Sequence, residues 1–486
     1  MKVLMAASEI VPFAKTGGLA DVVGALAGEL ADTGVSVTMV MPAYRRVLIS
    51  QLDGVEPARV LSLSIAERMV EVSLYHRKLS SALDIFFVRA DEYFDRDGFY
   101  GDADGDYPDN AERFALFSRA VLEIGRITGN GILHLHDWQT APAAAMLKLD
   151  TGRYAELSRS KTVLTVHNLA YQGVFAASLW PVLGLDDSVF NDNYEFYGRV
   201  NYLKSGLVCA DRLTTVSPTY AEEIQCGGQG FGLEGILRQR ATELSGILNG
   251  VDYHIWNPEN DPLIARCYSR VDIRGKAECK KALQTTYGLE VNADIPVIGM
   301  VTRLAEGKGL ELVMEAGDRF FDARFQLTML GSGERRYESY FHGLPQRFPG
   351  QAGVRTGFDE ALAHQAIAGA DILLMPSHRE PCGLTQMYAL RYGTVPVVRR
   401  TGGLADSIEP YAPSGEGTGF VFDDYSPAAM LDTIRQAVGL YGCREEWQAL
   451  MKRGMTADHS WRRSSREYLK LYRDLQSNYH NGSEEA

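Results

Sequence analysis

Apolar residues along the chain gather in short runs that are separated by longer amphipathic stretches. In the first half these runs lie at 2–5, 36–41, 84–88, 132–136, 162–166 and 212–216. Helical patterns lie between several of them, for example at 20–33 and 111–127. An alternation of strands and helices of this kind predicts a mainly parallel sheet with helices on both faces.

The same pattern starts again after Asn249. Its strand candidates lie at 296–301, 325–330, 353–356, 372–375 and 395–398. The segment 249–258 is rich in turn formers and is a plausible hinge. We therefore predict an α/β protein of two Rossmann-like, doubly wound domains, 1–250 and 251–460, that face a deep cleft. In such sheets ligands bind at the carboxyl ends of the strands.

One six-residue motif occurs twice. Thr16–Asp21 reads TGGLAD, Thr401–Asp406 repeats it, and a basic residue, Lys15 or Arg400, precedes each copy. Glycines free the backbone, and an aspartate is favourable in the first turn of a helix. We expect two helix-opening loops, one per domain, whose exposed amides bind an anion.

Composition narrows the class of protein. Apolar residues make up 45% and charged residues 23% of the 486 residues, which are values of a globular chain. The formal net charge is -13 and no dense basic run occurs, so nucleic acid is not an expected partner. No apolar stretch is long enough to span a membrane, and the first apolar run is too short for a signal peptide. Six scattered cysteines predict reduced thiols and a cytoplasmic location.

Two polar segments of the first half are candidates for chemistry. Asp102–Asp106 is a weak metal candidate, because Tyr107 and Arg113 stand where a calcium loop needs its glycine and its last glutamate, so a solvated acidic loop is favoured. The pair of His136 and Asp137 at the end of a strand suits a hydrogen-bonding pocket. Trp138 could stack on a sugar or belong to the core.

The second half offers cations and a carboxylate. Arg303 and Lys308 flank a glycine-rich step and could grip a diphosphate or be ordinary surface cations. The loop position predicts that removing Lys308 leaves the fold intact. Glu380 lies at a strand-loop-helix junction, where either a ligand contact or an exposed carboxylate is possible. Thr385 could cap the next helix, and Cys382 is expected to be a small buried residue rather than a nucleophile.

With these motifs, the chain resembles bacterial glycogen synthases and plant starch synthases, which are retaining glucosyltransferases. The likeness runs nearly end to end. Its motifs include Lys15–Asp21, Asp106–Asn110, His136–Trp138, Val166–Gly173, Thr215–Tyr220, Leu248–Asp252, Arg303–Leu304 with Lys308–Gly309, Glu380–Gln386, Arg399–Asp406 and Ser460–Trp461.

The resemblance implies roles for three sets of residues. The catalytic set is Glu380, His167, Arg303 and Lys308. The set that binds the nucleotide sugar is Lys15, Gly18, Asp21, Asn249, Gly357, Phe358, Cys382, Gly383 and Thr385. The set on the acceptor side is Glu9, Asp137, Trp138 and Asn168.

The resemblance also implies the reaction. Glucose passes from ADP-glucose to the non-reducing end of an α-1,4-glucan, which is glycogen or a maltooligosaccharide, with retention and with neither a cofactor nor a metal. The implied fold is the two-Rossmann-domain glycosyltransferase fold (GT-B), in which the segment 461–486 crosses back to the first domain. The oligomeric state and the preference between ADP-glucose and UDP-glucose stay open.

Three positions depart from the family pattern. Phe358 stands where a tyrosine is common beside the adenine, and Gly307 stands where a glutamine is common. His378 and Arg379 replace the usual Arg-Phe before Glu380, and Arg379 could pair with that carboxylate.

Two rival functions need different evidence. A phosphorylase-like protein of similar architecture would need a lysine for pyridoxal phosphate, and no motif for one is visible. An α-glucan-binding protein with a decayed site would not need Lys15, Arg303, Lys308 and Glu380, which are all present.

Overall fold

A computed structural model describes the chain except residues 103, 192, 193, 358 and 482–486, with side chains as far as Ser477. Contacts divide the chain into two compact units. The first unit consists of residues 1–216, 221–247 and the segment from Trp461 onward; the second consists of residues 217–220 and 248–460. The predicted boundary at 250 lies close to this division.

The elements of the first unit follow the apolar runs. Its strands are β1 Lys2–Ala6, β2 Ser36–Pro42, β3 Arg59–Ile65, β4 Arg68–Lys78, β5 Leu83–Arg89, β6 Gly101–Asp102, β7 Gly105–Asp106, β8 Ile132–His136, β9 Lys161–Val166, β10 Val174–Ala176, β11 Glu195–Phe196, β12 Arg199–Asn201, β13 Arg212–Thr215 and β14 Leu244–Gly246. The α-helices up to residue 247 are α1 Gly18–Asp32, α2 Arg45–Gln51, α3 Asp91–Phe94, α4 Asn110–Thr128, α5 Ala141–Leu149, α6 Tyr202–Cys209, α7 Pro218–Glu223 and α8 Glu234–Gln239. Short 3₁₀ turns lie at Ala155–Leu157, Ala177–Leu183 and Asp187–Val189.

The main sheet of the first unit has the strand order β14-β13-β9-β8-β1-β2-β5-β4-β3. Neighbours are parallel from β14 to β5, whereas β4 pairs antiparallel with both β5 and β3. The order reverses between β1 and β8, because β1 is followed on one side by β2 and on the other by β8. Such a reversal leaves a crevice at the carboxyl ends of the strands.

The second unit carries the restarted pattern. Its strands are β15 Val297–Val301, β16 Gln326–Gly331, β17 Ala352–Thr356, β18 Ile372–Met375, β19 Val395–Arg399 and β20 Phe420–Phe422. Its α-helices are α9 Arg274–Thr286, α10 Leu310–Ala316, α11 Arg335–His342, α12 Leu344–Arg347, α13 Glu360–Gly369, α14 Thr385–Arg391, α15 Gly402–Ser407, α16 Pro427–Tyr441 and α17 Arg444–Thr456. A 3₁₀ turn lies at Gly317–Phe321.

The sheet of the second unit is parallel, with the order β17-β16-β15-β18-β19-β20. Successive residues of one strand enter different apolar cores, as an alternating strand requires. Ile372 and Leu374 join the cluster under α10 and α16, whereas Leu373 and Met375 join the cluster with α14. Helices therefore cover both faces, and the predicted class of two doubly wound parallel sheets is confirmed.

Two segments connect distant parts of the sequence within a unit. Residues 217–220 belong to the second unit, where the carboxylate of Asp406 accepts hydrogen bonds from the Ser217 hydroxyl and, at 2.6 Å, from the Thr219 hydroxyl. The last helix, α18 Trp461–Asn481, belongs to the first unit and packs on α1. Within the described residues, no helix has both the length and the apolar character needed to cross a membrane.

Candidate active site

Candidate residues of the first unit lie where its strand order reverses. Glu9 follows β1, Asp137 follows β8 and His167 follows β9, so all three lie at the carboxyl edge of the parallel sheet. Residues there can point at a ligand while their strands stay buried; β8 is buried along its whole length.

Glu9 is buried, and both of its carboxylate oxygens accept hydrogen bonds. Oε1 accepts from the Thr16 hydroxyl at 2.7 Å and from the Tyr100 hydroxyl, while Oε2 accepts from the Thr16 backbone N–H. Burial beside Glu9 raises the pKa of Tyr100 well above its ordinary value, so the phenol stays a donor. Glu9 therefore holds the loop that carries Lys15 and Gly18, and its contact with an acceptor stays a prediction.

The first copy of the repeated motif opens a helix, as expected. Gly17 is the N-cap of α1, which begins at Gly18, and Gly18 is exposed. Lys15 and Asp21 form an ion pair across this turn, with 2.8 Å between Nζ and Oδ1 and side chains that are 38% and 30% exposed. An ion pair this exposed adds little stability, so exchange for a ligand would cost little. The turn offers a cation and the positive end of a helix to an anion.

Asp137 has an unusual backbone and a crowded carboxylate. Its φ is 57°, in the left-handed region that a residue with a side chain rarely adopts. Its Oδ1 accepts the His167 backbone N–H at 2.7 Å. Burial raises the pKa of Asp137 to about 7, although hydrogen bonds from the His167 and Asn168 backbones act in the opposite direction.

Three imidazoles lie close to Asp137 along the chain or beside it on the sheet edge: His134 and His136 are fully buried and His167 is half-buried. The Nδ1 of His136 lies 2.9 Å from the Nε2 of His167, and the ring centroids of His134 and His136 lie 4.2 Å apart. Burial lowers the pKa of His134 and of His167 to about 3, and that of His136 well below its ordinary value. All three rings are thus neutral near pH 7, and the catalytic role of His167 stays a prediction.

Trp138 and Asn168 complete the acceptor-side set. The Trp138 ring is 8% exposed and meets Phe114 edge-on, with 4.9 Å between ring centroids. A Cβ at Gly173 would lie 2.3 Å from the indole, so this ring is packed as core. Asn168 is half-buried, and its Oδ1 accepts the Ala170 N–H at 3.0 Å. Contact of either residue with an acceptor stays a prediction.

Lys308 and Glu380 form the centre of the candidate site in the second unit. Lys308 follows β15 and Glu380 follows β18, the two strands between which the order of this sheet reverses. The Lys308 ammonium lies 2.9 Å and 2.7 Å from the two Glu380 oxygens, and the Ser377 hydroxyl donates to Glu380 at 3.0 Å. The Lys308 side chain is 20% exposed and that of Glu380 6%. Glu380 is therefore a buried, paired carboxylate and not the exposed one of the alternative interpretation.

Glycines bring the chain close to this pair. Gly309 has a φ of 72°, and a Cβ there would lie 1.9 Å from the Pro376 carbonyl oxygen. Gly402 has a φ of 42°, and a Cβ there would lie 2.0 Å from the Glu380 carbonyl oxygen, which accepts the Gly403 N–H at 3.1 Å. Only glycine permits both approaches.

The second copy of the motif thus differs from the first. Its glycines are buried against the Glu380 loop, and Arg400 pairs with Asp423 at 2.6 Å. The expectation that both copies expose their amides to an anion is wrong for this copy, because its Gly403 amide already bonds the Glu380 carbonyl.

Arg303 of the catalytic set and the remaining residues of the nucleotide-sugar set are distributed over the second unit. Arg303 is exposed. Burial raises the pKa of the Cys382 thiol to about 12, which suits the inert residue we predicted. Gly383 has a φ of 71°. Thr385 is the first residue of α14 and not its cap, which is Leu384 without a side-chain cap bond, so that prediction is wrong.

Three further predictions concern Asn249, Gly357 and Phe358. Asn249 is buried, and within the described part of the chain its Oδ1 has no hydrogen-bond partner. The Gly357 N–H donates to the Gly331 carbonyl at 3.2 Å. Phe358 lies outside the described residues.

The acidic loop forms a small hairpin of β6 and β7. The Asp102 carboxylate accepts the Asp104 N–H at 2.9 Å. Across the part of the chain that the structure describes, no three His, Cys, Asp or Glu side chains converge as metal ligands would.

Several hydrogen bonds of the candidate site could not be predicted from the sequence. The Thr16 and Tyr100 hydroxyls donate to Glu9, and the Ser377 hydroxyl donates to Glu380. None of the three donors stands in a sequence pattern that predicts this role. Tyr472, on the last helix, bonds His134 across 338 residues of sequence. Only the fold brings these residues together.

The sequence matches two family models that together cover most of the chain. The family described as "Starch synthase catalytic domain" matches residues 2–239, and "Glycosyl transferases group 1" matches residues 288–450. The glycogen synthase of Syntrophotalea carbinolica is 45% identical over 484 residues, which are 99% of this chain and 100% of that protein. The glycogen synthase of Koribacter versatilis is 45% identical over 97% of this chain and 98% of its own.

Solved structures of glycosyltransferases resemble the fold of this chain. The catalytic domain of starch synthase IV from Arabidopsis thaliana, bound to ADP and acarbose, is similar with a TM-score of 0.87 and 32% identity, over 98% of this chain and 99% of that one. Sucrose-phosphate synthase from Thermosynechococcus elongatus shares the fold alone, with a TM-score of 0.61 and 16% identity over 98% of this chain and 99% of that one. The predicted GT-B fold is confirmed by these neighbours.

Proposed function

Because the chain belongs to the starch synthase family of glycosyltransferases, we propose that it transfers glucose from ADP-glucose to the non-reducing end of an α-1,4-glucan, with retention of configuration. Its relatives carry the name glycogen synthase, and a starch synthase was solved with ADP and acarbose. Both facts favour a nucleotide-sugar donor and a glucan acceptor for this chain.

The observation that carries this proposal is the Lys308–Glu380 pair at the strand-order reversal of the second unit. Glucosyl transfer builds negative charge on the departing diphosphate and positive charge on the sugar. A fixed ammonium and a fixed carboxylate less than 3 Å apart provide one group for each charge. Groups held in place before the reaction stabilise such charges without reorganising during it.

Arg303 extends the cationic side. The chain carries a formal charge of -13, so an anionic donor needs local cations to be retained. In the resting pair Lys308 and Glu380 neutralise each other, whereas the exposed Arg303 adds a positive charge. We propose that Arg303 and Lys308 together bind the diphosphate, so that no metal is needed.

The first unit supplies the acceptor side and part of the donor site in this proposal. His167 is neutral, and its role is to offer hydrogen bonds to the reacting glucose rather than a proton. Asp137, whose pKa lies near 7, is a carboxyl group able to bond a glucan hydroxyl. The exposed turn at Gly18, with its neighbouring Lys15, is proposed to contact the phosphates.

A donor-turnover assay tests the proposal. Purified protein is incubated with a glycogen primer and either ADP-glucose or UDP-glucose, and both diphosphate release and glucose incorporation are measured. We expect incorporation from ADP-glucose with the higher kcat/KM, in step with ADP release. Equal or reversed donor preference would contradict the choice of donor, and absence of incorporation from both would contradict the proposed function.

A further inference from the structure

A row of polar rings in the first unit leads to His167, and the proposed reaction uses only that last ring. His134 and His136 are fully buried on β8, and the row continues to His167 after β9. At its other end lies Tyr472, which is fully buried on α18. The row thus connects the last helix of the chain to the edge of the sheet that carries the acceptor-side residues.

His134 has a hydrogen-bond partner on each ring nitrogen. Its Nδ1 lies 2.7 Å from the Tyr472 hydroxyl, and its Nε2 lies 2.6 Å from the Thr165 hydroxyl. The Thr165 hydroxyl lies 2.5 Å from that of Thr214. A neutral imidazole has one donor and one acceptor nitrogen, so the tautomer follows from its neighbours. If the Tyr472 phenol donates to Nδ1, then Nε2–H must donate to Thr165, which donates to Thr214.

His136 packs its ring against the ring of His134, with 4.2 Å between ring centroids. Its Nδ1 bonds His167, but within the described residues its buried Nε2 has no hydrogen-bond partner. Packing against His134 therefore helps to hold the His136 ring in the orientation in which it meets His167.

His167 in turn receives its orientation from His136. Its Nε2 is bonded to the His136 Nδ1, and its backbone N–H donates to Asp137. A rotation of the His134 ring would thus reach the residues that the proposed function assigns to the reacting glucose and the acceptor. The partner of a histidine on its second nitrogen commonly sets the role of the first.

We infer that Tyr472 is a positioning residue for glucosyl transfer: its hydroxyl fixes the tautomer and ring orientation of His134, whose ring packs on His136, the hydrogen-bond partner of His167. This inference rests on the proposed function. It gives the last helix a chemical role in the first unit in addition to its packing.

Tyr472→Phe tests the inference, because it keeps the ring and removes the hydroxyl. We expect kcat to fall about tenfold, the lower end of the effect seen when a metal-bound histidine loses the hydrogen-bond partner that orients it. KM for ADP-glucose should change little, since Lys15, Arg303 and Lys308, which are proposed to bind the phosphates, are left untouched. The matched control is Tyr268→Phe, which removes another buried phenol, bonded to the Tyr392 carbonyl at 2.8 Å in the second unit. The control should keep the wild-type kcat.

Nitrogen-15 NMR of labelled histidines gives a readout that packing alone would not move. The wild-type protein should show His134 protonated on Nε2, and Tyr472→Phe should shift the ring signals of His134, His136 and His167. A Tyr472→Phe variant with the kcat of the control, or unchanged signals at His167, would overturn the inference. If the variant does not fold, the wild-type spectrum still decides, because protonation of His134 on Nδ1 would overturn it. Absence of wild-type turnover would instead refute the proposed function, and the spectrum is independent of turnover.

Discussion

Removing the Lys308 ammonium should cost both rate and stability. A glycine-rich loop alone predicted that Lys308→Ala leaves the fold intact, but the ammonium holds both oxygens of a carboxylate that is 6% exposed. Without it, the Ser377 hydroxyl still donates to Glu380 at 3.0 Å, but the ammonium that neutralises the carboxylate is gone. Breaking a buried ion pair costs about 3–5 kcal/mol, and since Lys308 is itself 20% exposed we expect about 3 kcal/mol.

This loss can be converted into measurable quantities. For a unit of roughly 200 residues, about 3 kcal/mol corresponds to a melting temperature lowered by about 6–12 °C. The rate should fall separately, by about a hundred- to a thousandfold in kcat, because one preorganised charge partner of the departing diphosphate is lost. Calorimetry and steady-state kinetics at a temperature well below the transition measure the two effects independently.

Two further variants separate the causes. In the double variant Lys308→Ala with Glu380→Gln the buried group is a neutral amide, so most of the melting temperature should return while kcat stays low. Lys281→Ala removes an exposed lysine from α9 of the same unit and should change neither quantity.

The melting temperature and kcat of Lys308→Ala test the structural and the catalytic role of Lys308 separately. A Lys308→Ala protein that melts with the wild type would show that Glu380 does not need this partner in solution. A kcat within a few-fold of the wild type would show that Lys308 does not bind the departing diphosphate.

Three other predictions follow from the same geometry. Activity should survive metal stripping and EDTA, because Arg303 and Lys308 are proposed to neutralise the diphosphate; loss of turnover that Mg²⁺ or Mn²⁺ restores would refute this. Glu380→Gln should lower kcat with little change in KM for ADP-glucose, whereas Arg379→Phe should be at least as active as the wild type; a fully active Glu380→Gln enzyme would exclude a catalytic role for that carboxylate. Asp137 has its pKa raised by burial from an ordinary value near 4 to about 7, so its ionisation opposes folding increasingly as the pH rises through this window. Asp137→Asn should therefore gain melting temperature over the wild type at pH 8 and lose that gain by pH 4; a gap independent of pH would contradict the shift.

The strands that sequence patterns located are the buried parallel ones. β1 and β15 are buried along nearly their whole length and appear in the sequence as short apolar runs. β3 and β4 were missed, because they are antiparallel and half exposed at the edge of their sheet; Val60 and Met69 are 50% and 64% exposed. Such strands alternate and leave no continuous apolar signal.

The site was predictable to the extent that it lies at strand ends. Asp137, Lys308 and Glu380 all follow strands, so the rule for parallel sheets marked them as candidates, whereas Glu9 was named only through the family resemblance. The partners of these groups were not predictable, because the Lys308–Glu380 bond spans 72 residues of sequence and the Tyr472–His134 bond spans 338. No local pattern encodes a contact of that range.

The repeated motif shows most directly what a local sequence pattern cannot predict. The two copies of TGGLAD are identical, and both open a helix. One exposes Gly18, whereas the other buries the equivalent Gly403, whose N–H donates to the Glu380 carbonyl. The difference arises from the neighbouring loop and not from the motif. The identity of the two copies therefore could not predict that the second one packs against the backbone of Glu380.

The central claim is that glucose moves from ADP-glucose to the end of an α-glucan with retention. Its most direct test is proton NMR of a reaction that contains ADP-glucose, labelled with carbon-13 in the glucose, and a short maltooligosaccharide. The account predicts a new α-1,4-linked residue at the non-reducing end that appears as ADP is released, without free labelled glucose. A β-linked product, or labelled glucose in water with no extension of the acceptor, would contradict it.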